Sequence, residues 1–456
     1  MLETYEQEPT QDRIQQLNDA LESGMFVHVR HMLNNMPAAD AAHLLESSTP
    51  RIRNLLWKLV DNENEGEILQ YLNDEIRNFF VDKMGPEQLA HAVKDLETDD
   101  LADILGELPE SVYRKVIVSM KDQDRQRVEA ALEYPEDSAG GLMNTDTITV
   151  RPTITIEVVL RYLRRRKELP KSTDSIYVVN SSDQLLGAVS LATLITSKPD
   201  MMVEQVVDPD IQSIAVDMSE TEVAQLFERR DLISAPVVDQ ENHLLGRITI
   251  DDVVDVIREE AEHSLMSMAG LDEADDTFAP VWSSAKRRAV WLGVNLITVL
   301  IAAQVIGLFE DTIKIVTALA ILQPIVPSMG GVAGTQTLTL VIRGLSLGHI
   351  GQSNTRWLLM KELGVSLLNG TLWAFAVGSL TMVWFYEEVF AAKLAIAISG
   401  AMIITMVVGA VTGASLPLIL RRLNMDPVLS GGVVLTTMTD VVGFFSLLGL
   451  ATLMFF

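Results

Sequence analysis

Five long apolar stretches occupy the C-terminal part of the chain. Four contain no charged residue and the fifth contains only Asp440; they cover residues 289–309, 315–342, 363–386, 394–420 and 427–456. A helix needs roughly 20 residues to cross the hydrocarbon core of a bilayer. Because long buried helices of a soluble protein do not readily account for five such stretches in succession, the pattern predicts five membrane-spanning helices.

Basic residues are distributed unevenly among the connections between these stretches. Eight of the ten basic residues from position 284 onward lie before the first stretch, between the second and third, or after the fourth: Lys286, Arg287, Arg288, Arg343, Arg356, Lys361, Arg421 and Arg422. Connections rich in Lys and Arg stay in the cytoplasm, so the C-terminus is expected outside. The opening MLETYEQEPT lacks the apolar core of a signal peptide. We therefore predict a multi-pass protein of the inner (cytoplasmic) membrane with a cytoplasmic N-terminus.

The first 133 residues have helical rather than strand-like patterns. A motif of the type D-x-A-x-L-L starts at Asp40 and recurs at Asp100 with Ile104 in place of the first Leu, each time with a proline soon after. Recurrence of a short helical unit is typical of stacked helices. This part is predicted to be an all-α domain resembling a small solenoid.

From Tyr134 the pattern changes to short β-branched stretches that alternate with helices. Residues 176–191 are matched by residues 235–250, and Gly187 and Gly246 occupy equivalent positions 59 residues apart. Each copy predicts a buried strand, a polar turn, a second strand and a helix. The repeat resembles a tandem pair of CBS domains over residues 138–258. In that family the cleft between modules often binds adenine nucleotides, so the resemblance implies a possible ATP site, although many pairs serve only as dimerisation scaffolds.

Charge divides the chain in the same place as hydropathy. Residues 1–283 carry 55 acidic and 25 basic residues, whereas residues 284–456 carry 7 and 10, which gives the overall net charge of -27. So acidic a soluble half repels nucleic acid and concentrates cations. The absence of cysteine excludes disulfides and thiolate metal sites.

An acidic helix is predicted immediately before the first membrane span. Within residues 251–262 the carboxylates of Asp252, Asp255, Glu259 and Glu262 follow helical spacing and share one face. A second acidic cluster, Asp99, Asp100 and Asp103, lies in the helical domain. A solvated face is the usual role of such a stripe. The other hypothesis is that the clusters face each other, so that divalent cations neutralise them and draw the domains together.

Asp440 is the candidate pore residue, because an ionisable side chain within a membrane span is costly and usually functional. Hydroxyls of Thr436, Thr437 and Thr439 lie near it in sequence, and the Gly-rich segment 328–336 of the second span is expected to interrupt the helix and line a wet cavity. Oxygen ligands suit Mg2+ or Ca2+. The alternative is a packing motif in which small residues bring helices together and Asp440 pairs with Gln336.

Three segments carry a specific resemblance. Residues 327–336 (PSMGGVAGTQ), 436–443 (TTMTDVVG) and 134–143 (YPEDSAGGLM) are similar to motifs of the MgtE family of magnesium channels. The resemblance implies a homodimer whose subunits carry a helical domain, paired CBS modules, a connecting plug helix and five membrane helices. It implies pore residues Asp440 and Thr436, and Mg2+-sensing residues Asp99, Asp103, Asp252, Asp255, Glu260 and Asp426. The Gly-rich segment adds Gly330, Gly331 and Gln336 to the candidate pore residues, and the acidic stripe adds Glu259 to the candidate sensing residues.

The chain departs from the family pattern at two places. Val332 follows the paired glycines where the family commonly has Asn, which removes one polar contact to a hydrated ion. His263 and Ser264 stand where the family often has an acidic pair near the end of the plug helix. Ion selectivity and the number of sensing sites are the properties that these differences affect.

Together these patterns predict a multidomain protein with an acidic all-α domain (1–133), an α/β tandem CBS pair (134–250), a connecting helix and linker (251–283) and a five-helix transmembrane domain (284–456). The function expected is a channel for Mg2+ or similar divalent cations that closes when cytoplasmic acidic sites bind Mg2+. An alternating-access carrier for divalent cations such as cobalt or manganese is the alternative. A membrane enzyme regulated by the CBS modules is disfavoured, because an intramembrane aspartyl protease needs two carboxylates and Asp440 is the single one identified within a span. The absence of a Gly-x-x-x-x-Gly-Lys phosphate loop also disfavours an ATP-driven pump.

Overall fold

The computed structural model describes residues 25–106, 108–120, 125, 129, 132–166, 169–271, 276–351, 353–423 and 425–456. Residues 1–24 of the predicted helical domain therefore lie outside the described residues. The chain forms two compact units: the first comprises Met1–Glu260 with Ala274–Pro280, and the second comprises Ala261–Glu273 with Val281–Phe456. The predicted multidomain architecture, with helical, CBS and five-helix parts, is confirmed.

Short helices build the first part of the first unit. They are α1 Phe26–Asn35, α2 Ala38–Glu46, α3 Pro50–Trp57, α4 Glu65–Gln70, α5 Asp74–Val81, α6 Pro86–Ala92, α7 Thr98–Gly106 and α8 Glu110–Ser119. Proline opens α3 and α6, where its fixed φ suits the first turn and its missing N–H costs nothing. Helices α2, α4, α6 and α8 contact one another in succession around one apolar core. This stacking is the arrangement that the recurring sequence motif predicts.

Two small sheets follow, each built in the same way. The first contains β1 Thr149–Val150, β2 Ser175–Val179 and β3 Leu185–Ser190, with α9 Ile156–Arg165 between β1 and β2 and α10 Leu191–Thr196 after β3. The second contains β4 Ile214–Ala215, β5 Ser234–Val238 and β6 Leu244–Thr249, with α11 Glu220–Arg230 between β4 and β5. In both sheets the first pair of strands is parallel and the second is antiparallel.

The two hairpins have the same register, as the repeat in the sequence predicts. Val178 pairs with Gly187 in the first, Val237 pairs with Gly246 in the second, and the ladder shifts by one residue directly after each of these pairs. Gly187 has φ of +149°, and a Cβ there would lie 2.2 Å from the carbonyl oxygen of Asp208. A side chain is therefore excluded at this position by both backbone conformation and space.

A continuous helix, α12 Ile250–Met268, leads out of the second sheet. Asp252 occupies the third position of α12, and its Oδ2 accepts hydrogen bonds from the backbone N–H of Thr249 at 3.1 Å and from its hydroxyl at 2.9 Å. This is one half of a capping box, which satisfies an N–H that the start of a helix otherwise leaves unpaired. The helix thus begins where the acidic stripe begins.

The second unit contains long apolar helices. They are α13 Val281–Gly307, two short helices α14 Glu310–Ile315 and α15 Ala318–Leu322, and then α16 Ile325–Ser346, α17 Thr355–Trp384, α18 Ala391–Arg422 and α19 Pro427–Phe455. Within the described residues, five helices are long and apolar enough to cross a membrane, counting α15 and α16 as one. The five predicted spans are confirmed in number and order. Helix α18 packs against α16, α17 and α19, so it is the centre of this bundle.

The expectation that the Gly-rich segment interrupts the second span is wrong. Helix α16 is continuous through residues 325–346, and its glycines lie at helix contacts. A Cβ on Gly409 of α18 would lie 2.4 Å from the carbonyl oxygen of Gly330, and a Cβ on Gly413 would lie 2.4 Å from that of Gly334. The glycines therefore allow two helix backbones to touch, which is how small residues act in membrane bundles.

We predict that Gly409→Ala destabilises the membrane bundle by about 1–3 kcal/mol, the usual cost of forcing extra atoms into a packed interior. The obstacle is backbone, so the two helices have to separate to admit the methyl group. The thermal unfolding midpoint of the purified protein in detergent would measure the effect. Gly364→Ala in α17 is the matched control, since nothing lies within 4 Å of its Cβ position. Equal midpoints for the two variants would contradict this account of the packing.

Candidate functional site

Carboxylates gather at the start of α7 in the first unit. One ligand oxygen from each of Glu97, Asp99 and Asp100 lies within 4.8 Å of the others. Asp99 is only 6% exposed, and its Oδ1 has no hydrogen-bond partner among the described residues. A buried oxygen that no donor satisfies costs free energy unless something else fills its place. The unpaired oxygen identifies this cluster as a candidate cation site.

The beginning of α12 lies at this cluster. Burial raises the pKa of Asp99 well above its usual value, and the negative charges of Asp252 and Asp100 raise it further. Burial, Asp252 and Glu97 together raise the pKa of Asp100 to about 7. Burial raises the pKa of Asp252 to about 6 even though its hydrogen bonds from Thr249 oppose the shift. The carboxylates thus repel one another across the contact between α7 and α12.

A second acidic contact lies one to two turns further along α12. Exclusion of water raises the pKa of Glu259 to about 7, with Asp74 and Asp255 adding repulsion. Water exclusion likewise raises the pKa of Asp103 to about 7, with contributions from Glu136, Asp100 and Glu259 and an opposing one from Arg77. Both residues are nevertheless solvent-exposed at their surface, so their carboxylates lie at the edge of the contact rather than inside it. Together with Glu97, Asp99, Asp100 and Asp252, these two residues form a group that we call the acidic band. Asp99 is its most buried member.

The remaining predicted sensing residues of α12 lie at the side of this band. Asp255 is exposed, and its Oδ1 lies 3.4 Å from the guanidinium of Arg258. Glu260 is half-buried and raises the pKa of Glu220, which burial and Asp137 also raise. The structure brings Asp252 and Glu259 to the carboxylates of the helical domain and leaves Asp255 with a basic partner on its own helix.

In the second unit, Asp440 and Thr436 lie one turn apart on α19. Asp440 is half-buried, and no described residue donates a hydrogen bond to it. The Thr436 hydroxyl donates to the carbonyl oxygen of Gly432 at 2.9 Å, and the carbonyl oxygen of Thr436 accepts from the Thr439 hydroxyl at 3.0 Å. The suggested pairing of Asp440 with Gln336 is absent from the described hydrogen bonds. The carboxylate of Asp440 is therefore available to a ligand.

The predicted pore residues of α16 lie on different sides of that helix. Gly330 is buried against Thr405 and Gly409 of α18 and has a packing role. Gly331 faces α19, where a Cβ would lie 3.7 Å from the hydroxyl oxygen of Thr439. Gln336 is exposed and lines a separate cavity of about 500 Å3 between α16 and α17. Of the three predicted pore residues of α16, Gly331 is thus the one that lies near the Asp440 turn.

Glu362 is a second carboxylate in the membrane half that sequence reasoning missed. It is 5% exposed, and its oxygens accept from Lys361 Nζ at 2.6 Å and from the Thr337 hydroxyl at 3.3 Å. Glu362 directly precedes the third uncharged stretch, so the sequence pattern assigns it to the connection between the second and third spans. In the structure α17 begins at Thr355, so Glu362 is two turns inside a helix. The sequence feature that could have identified Glu362 is a single acidic residue placed between Lys361 and the start of a membrane span.

Asp426 lies beside a histidine in the loop before α19. Its Oδ2 is 3.2 Å from Nε2 of His263 on α12, and its Oδ1 accepts from the backbone N–H of Val428 at 2.8 Å. His263 is the residue that departs from the family pattern. An imidazole is a poor companion for Mg2+, which prefers oxygen ligands. The geometry at Asp426 therefore fits an aspartate–histidine contact better than a magnesium site.

A cavity of about 600 Å3 leads to Thr436 within the second unit. It lies among the end of α12, the following residues to Leu271, and helices α13, α16 and α19, and its lining includes Gly270, Trp291, Thr335, Gly432 and Thr436. Gly270 has φ of +71°, and the Trp291 ring lies 3.2 Å from its Cβ position. The lining is mainly apolar, with a few hydroxyls and the side chain of Arg288, and it includes the predicted pore residue Thr436.

Comparisons with protein families match three parts of the chain. A family described as "Divalent cation transporter" matches residues 323–450, the "MgtE intracellular N domain" matches residues 36–137, and the CBS domain matches residues 139–199 and 203–259. Among solved structures, the cytosolic domain of the Mg2+ channel MgtE in complex with ATP is 32% identical, with a TM-score of 0.49 over 53% of this chain and 98% of that one.

Two relatives match along nearly their whole length. "Magnesium transporter MgtE" of Bacillus subtilis is 29% identical over 434 residues, 95% of each chain. "Magnesium transporter MgtE" of Thermus thermophilus is 31% identical over 445 residues, 96% of this chain and 97% of the relative. The resemblance stated from three short segments thus extends over all the predicted domains. The chain belongs to the MgtE family of magnesium transporters.

Proposed function

We propose that this chain is a magnesium channel that closes when the acidic band of its cytoplasmic half binds Mg2+. The observation that carries the proposal is the buried Asp99, whose Oδ1 has no hydrogen-bond partner among the described residues and whose pKa is raised by burial and by Asp252. Lys171 beside Asp100 and Arg77 beside Asp103 oppose the raised pKa values of these two carboxyls but do not cancel the shifts. The site offers hard oxygen ligands, which suits a divalent cation. Mg2+ is then both the transported ion and the regulator.

Electrostatic repulsion supplies the driving force for opening. Two carboxylates about 4 Å apart repel by on the order of 4 kcal/mol at an effective dielectric constant near 20. Without Mg2+ this repulsion favours separation of α12 from the helical domain. A bound ion removes the repulsion, and closure is favoured only to the extent that the ion binds the closed arrangement better than the open one.

The pore is proposed to hold Mg2+ through its water shell. Mg2+ dehydrates reluctantly and is usually held by one or two carboxylates together with several waters. Asp440 supplies one carboxylate per chain, and the carbonyl oxygen of Thr436 lies one turn earlier on α19. Two copies of the chain would bring two such sets to a shared axis. We therefore propose a homodimer, with the pore formed by α19 and the Gly331 side of α16 from each subunit.

Adenine nucleotide is proposed as a second ligand of the CBS pair. A cavity of about 310 Å3 in the pair is lined by residues from both sheets, including Ser175, Tyr177, Asp210, Arg230, Ser234 and Pro236. Arg230 offers a guanidinium suited to phosphate. The phenol of Tyr177 lies 3.4 Å from the Ser234 hydroxyl and offers a hydrogen-bond donor to this cavity.

For the nucleotide site, we expect Arg230→Gln to weaken ATP binding by about tenfold, the loss of one charge-assisted contact. Equilibrium dialysis of the full-length protein with labelled ATP would measure it, with Arg229→Gln on the outer face of α11 as the control. Binding that both variants retain in full would exclude this cavity, and no binding by the native chain would exclude a nucleotide.

For the pore, we expect discrete single-channel currents with Mg2+ as the permeant cation, and loss of at least about nine-tenths of the current in Asp440→Asn, a change of about 1.4 kcal/mol. An amide has nearly the same size but does not attract the ion's water shell as a carboxylate does. Planar bilayer recordings of the purified chain would make the measurement. Glu387→Gln, an exposed carboxylate in the connection before α18, is the control.

The same recordings separate the channel from the alternating-access carrier. Uptake of Mg2+ into proteoliposomes without resolvable current steps would contradict a channel. Full current through Asp440→Asn would contradict the pore assignment whichever mechanism applies.

For the sensor, we expect the double variant Asp99→Asn, Asp252→Asn to need at least about fivefold more Mg2+ for half-inhibition, the lower end of typical coupling energies. Amides remove both the repulsion and the charged ligands. Proteoliposome flux at pH 8, where the carboxylates with pKa near 6 or 7 are ionised, would measure the shift. The exposed Asp82→Asn is the control, and an unchanged half-inhibitory concentration in the double variant would reduce the acidic band to a solvated surface.

A further inference from the structure

The segment that precedes the first membrane helix is bound to the helical domain by a buried ion pair. Arg53 of α3 contacts Asp276 through two parallel contacts, Nη1 to Oδ2 at 2.7 Å and Nη2 to Oδ1 at 3.2 Å. The two side chains are only 5% and 6% exposed. The residues are 223 positions apart, and both belong to the first unit.

Backbone carbonyl oxygens of the helical domain hold the Arg53 guanidinium in place independently of Asp276. Its Nε donates to the carbonyl oxygen of Leu45 at 2.9 Å, and its Nη2 donates to those of Ser48 at 3.1 Å and Glu46 at 3.3 Å. These carbonyls lie at the end of α2, where a helix leaves carbonyl groups unpaired and favours positive charge. The helical domain therefore presents a fixed, buried fork shaped for one carboxylate.

The linker is bound through its backbone as well as through its side chain. The backbone N–H of Asp276 donates to Oε2 of Glu75 at 2.8 Å, and its Oδ1 also accepts from the backbone N–H of Phe278 at 2.9 Å. Recognition thus requires an acidic side chain on a turn of backbone at one defined position. A flexible linker in passing contact would not satisfy all of these groups.

An ion pair this deeply buried is expensive to break on one side only. Removing one partner leaves the other charge without compensation in a place that water does not reach. Asp276 lies five residues before Val281, the first residue of α13, and five residues of chain extend at most about 18 Å. A helical domain that holds Asp276 consequently limits where the start of the first membrane helix can lie.

We propose that the Arg53 fork is a receptor for Asp276 and couples the helical domain directly to the first membrane helix. This coupling rests on the proposed magnesium gating and adds a second connection to it. Helix α12 transmits the position of the acidic band along one path. The fork transmits the position of the helical domain along the other, so that movement of that domain displaces the start of α13.

Cleavage after Phe278 measures whether the linker is held. Phe278 is 41% exposed, but its backbone N–H donates to Oδ1 of Asp276. The peptide bond after Phe278 can therefore take up the extended form that chymotrypsin cleaves only when the linker detaches. In the full-length protein in detergent with Mg2+, we expect cleavage at this bond to be at least about tenfold faster in Asp276→Asn than in the native chain, since the cleavable form is the detached one. Arg53→Gln should match it, whereas Arg51→Gln, exposed on the same helix, should behave like the native chain.

The Mg2+ dependence of flux then tests the coupling. We expect Asp276→Asn, which leaves every residue of the helical domain intact, to raise the half-inhibitory Mg2+ concentration at least about fivefold. Combining it with Arg53→Gln should add nothing, because the two residues act as one contact. Faster cleavage with unchanged Mg2+ inhibition would overturn the coupling and leave the acidic sensor in place. Native cleavage rates in both variants would overturn the receptor. Flux in the native chain that Mg2+ does not inhibit would overturn the proposed gating and this coupling with it.

Discussion

Repulsion between carboxylates that the fold holds close together is the interaction on which the first unit depends. The helical domain contributes Glu97, Asp99 and Asp100, and the CBS pair contributes the start of α12 with Asp252. The repulsion between these two groups of carboxylates arises only when the helical domain and α12 lie together. Packing of the surrounding apolar cores stabilises the fold in which these carboxylates are close together. Their electrostatic repulsion opposes that arrangement, and a bound cation would remove it.

In the membrane half the main structural constraint is the placement of one carboxylate, that of Asp440, among apolar helices. Glycines at Gly330, Gly409 and Gly413 let α16 and α18 touch through their backbones. That close packing forms a rigid support for α19. Glu362 is paired with the Lys361 ammonium and accepts a hydrogen bond from the Thr337 hydroxyl, whereas Asp440 receives no hydrogen bond from the described residues. Of the two membrane carboxylates, one is bound to protein and the other remains for a ligand.

Sequence reasoning succeeded where a pattern is local and failed where geometry decides. Uncharged stretches identified the spans because a charge is costly in lipid, and equal spacing of Gly187 and Gly246 identified two hairpins with one register. Glycine was ambiguous, since the same residue permits a broken helix or a close contact, and only the neighbouring helix distinguishes these. The sequence shows the acidic stripe of α12, but it does not show which carboxylates of the helical domain lie opposite that stripe. The pairing of Arg53 with Asp276 spans 223 positions, and no local signal marks either residue as a member of a pair.

The two tasks of Asp252 have a genetic consequence. One carboxylate both faces the acidic cluster and caps α12 through Thr249. Asparagine retains an oxygen that accepts the capping hydrogen bonds but loses the charge. A change of one base in an aspartate codon yields asparagine, so we expect a single mutational step to remove ion sensing while the helix and the fold survive. Populations starved of magnesium would thus have access to alleles that transport the ion without feedback, and surplus magnesium would select against the same alleles.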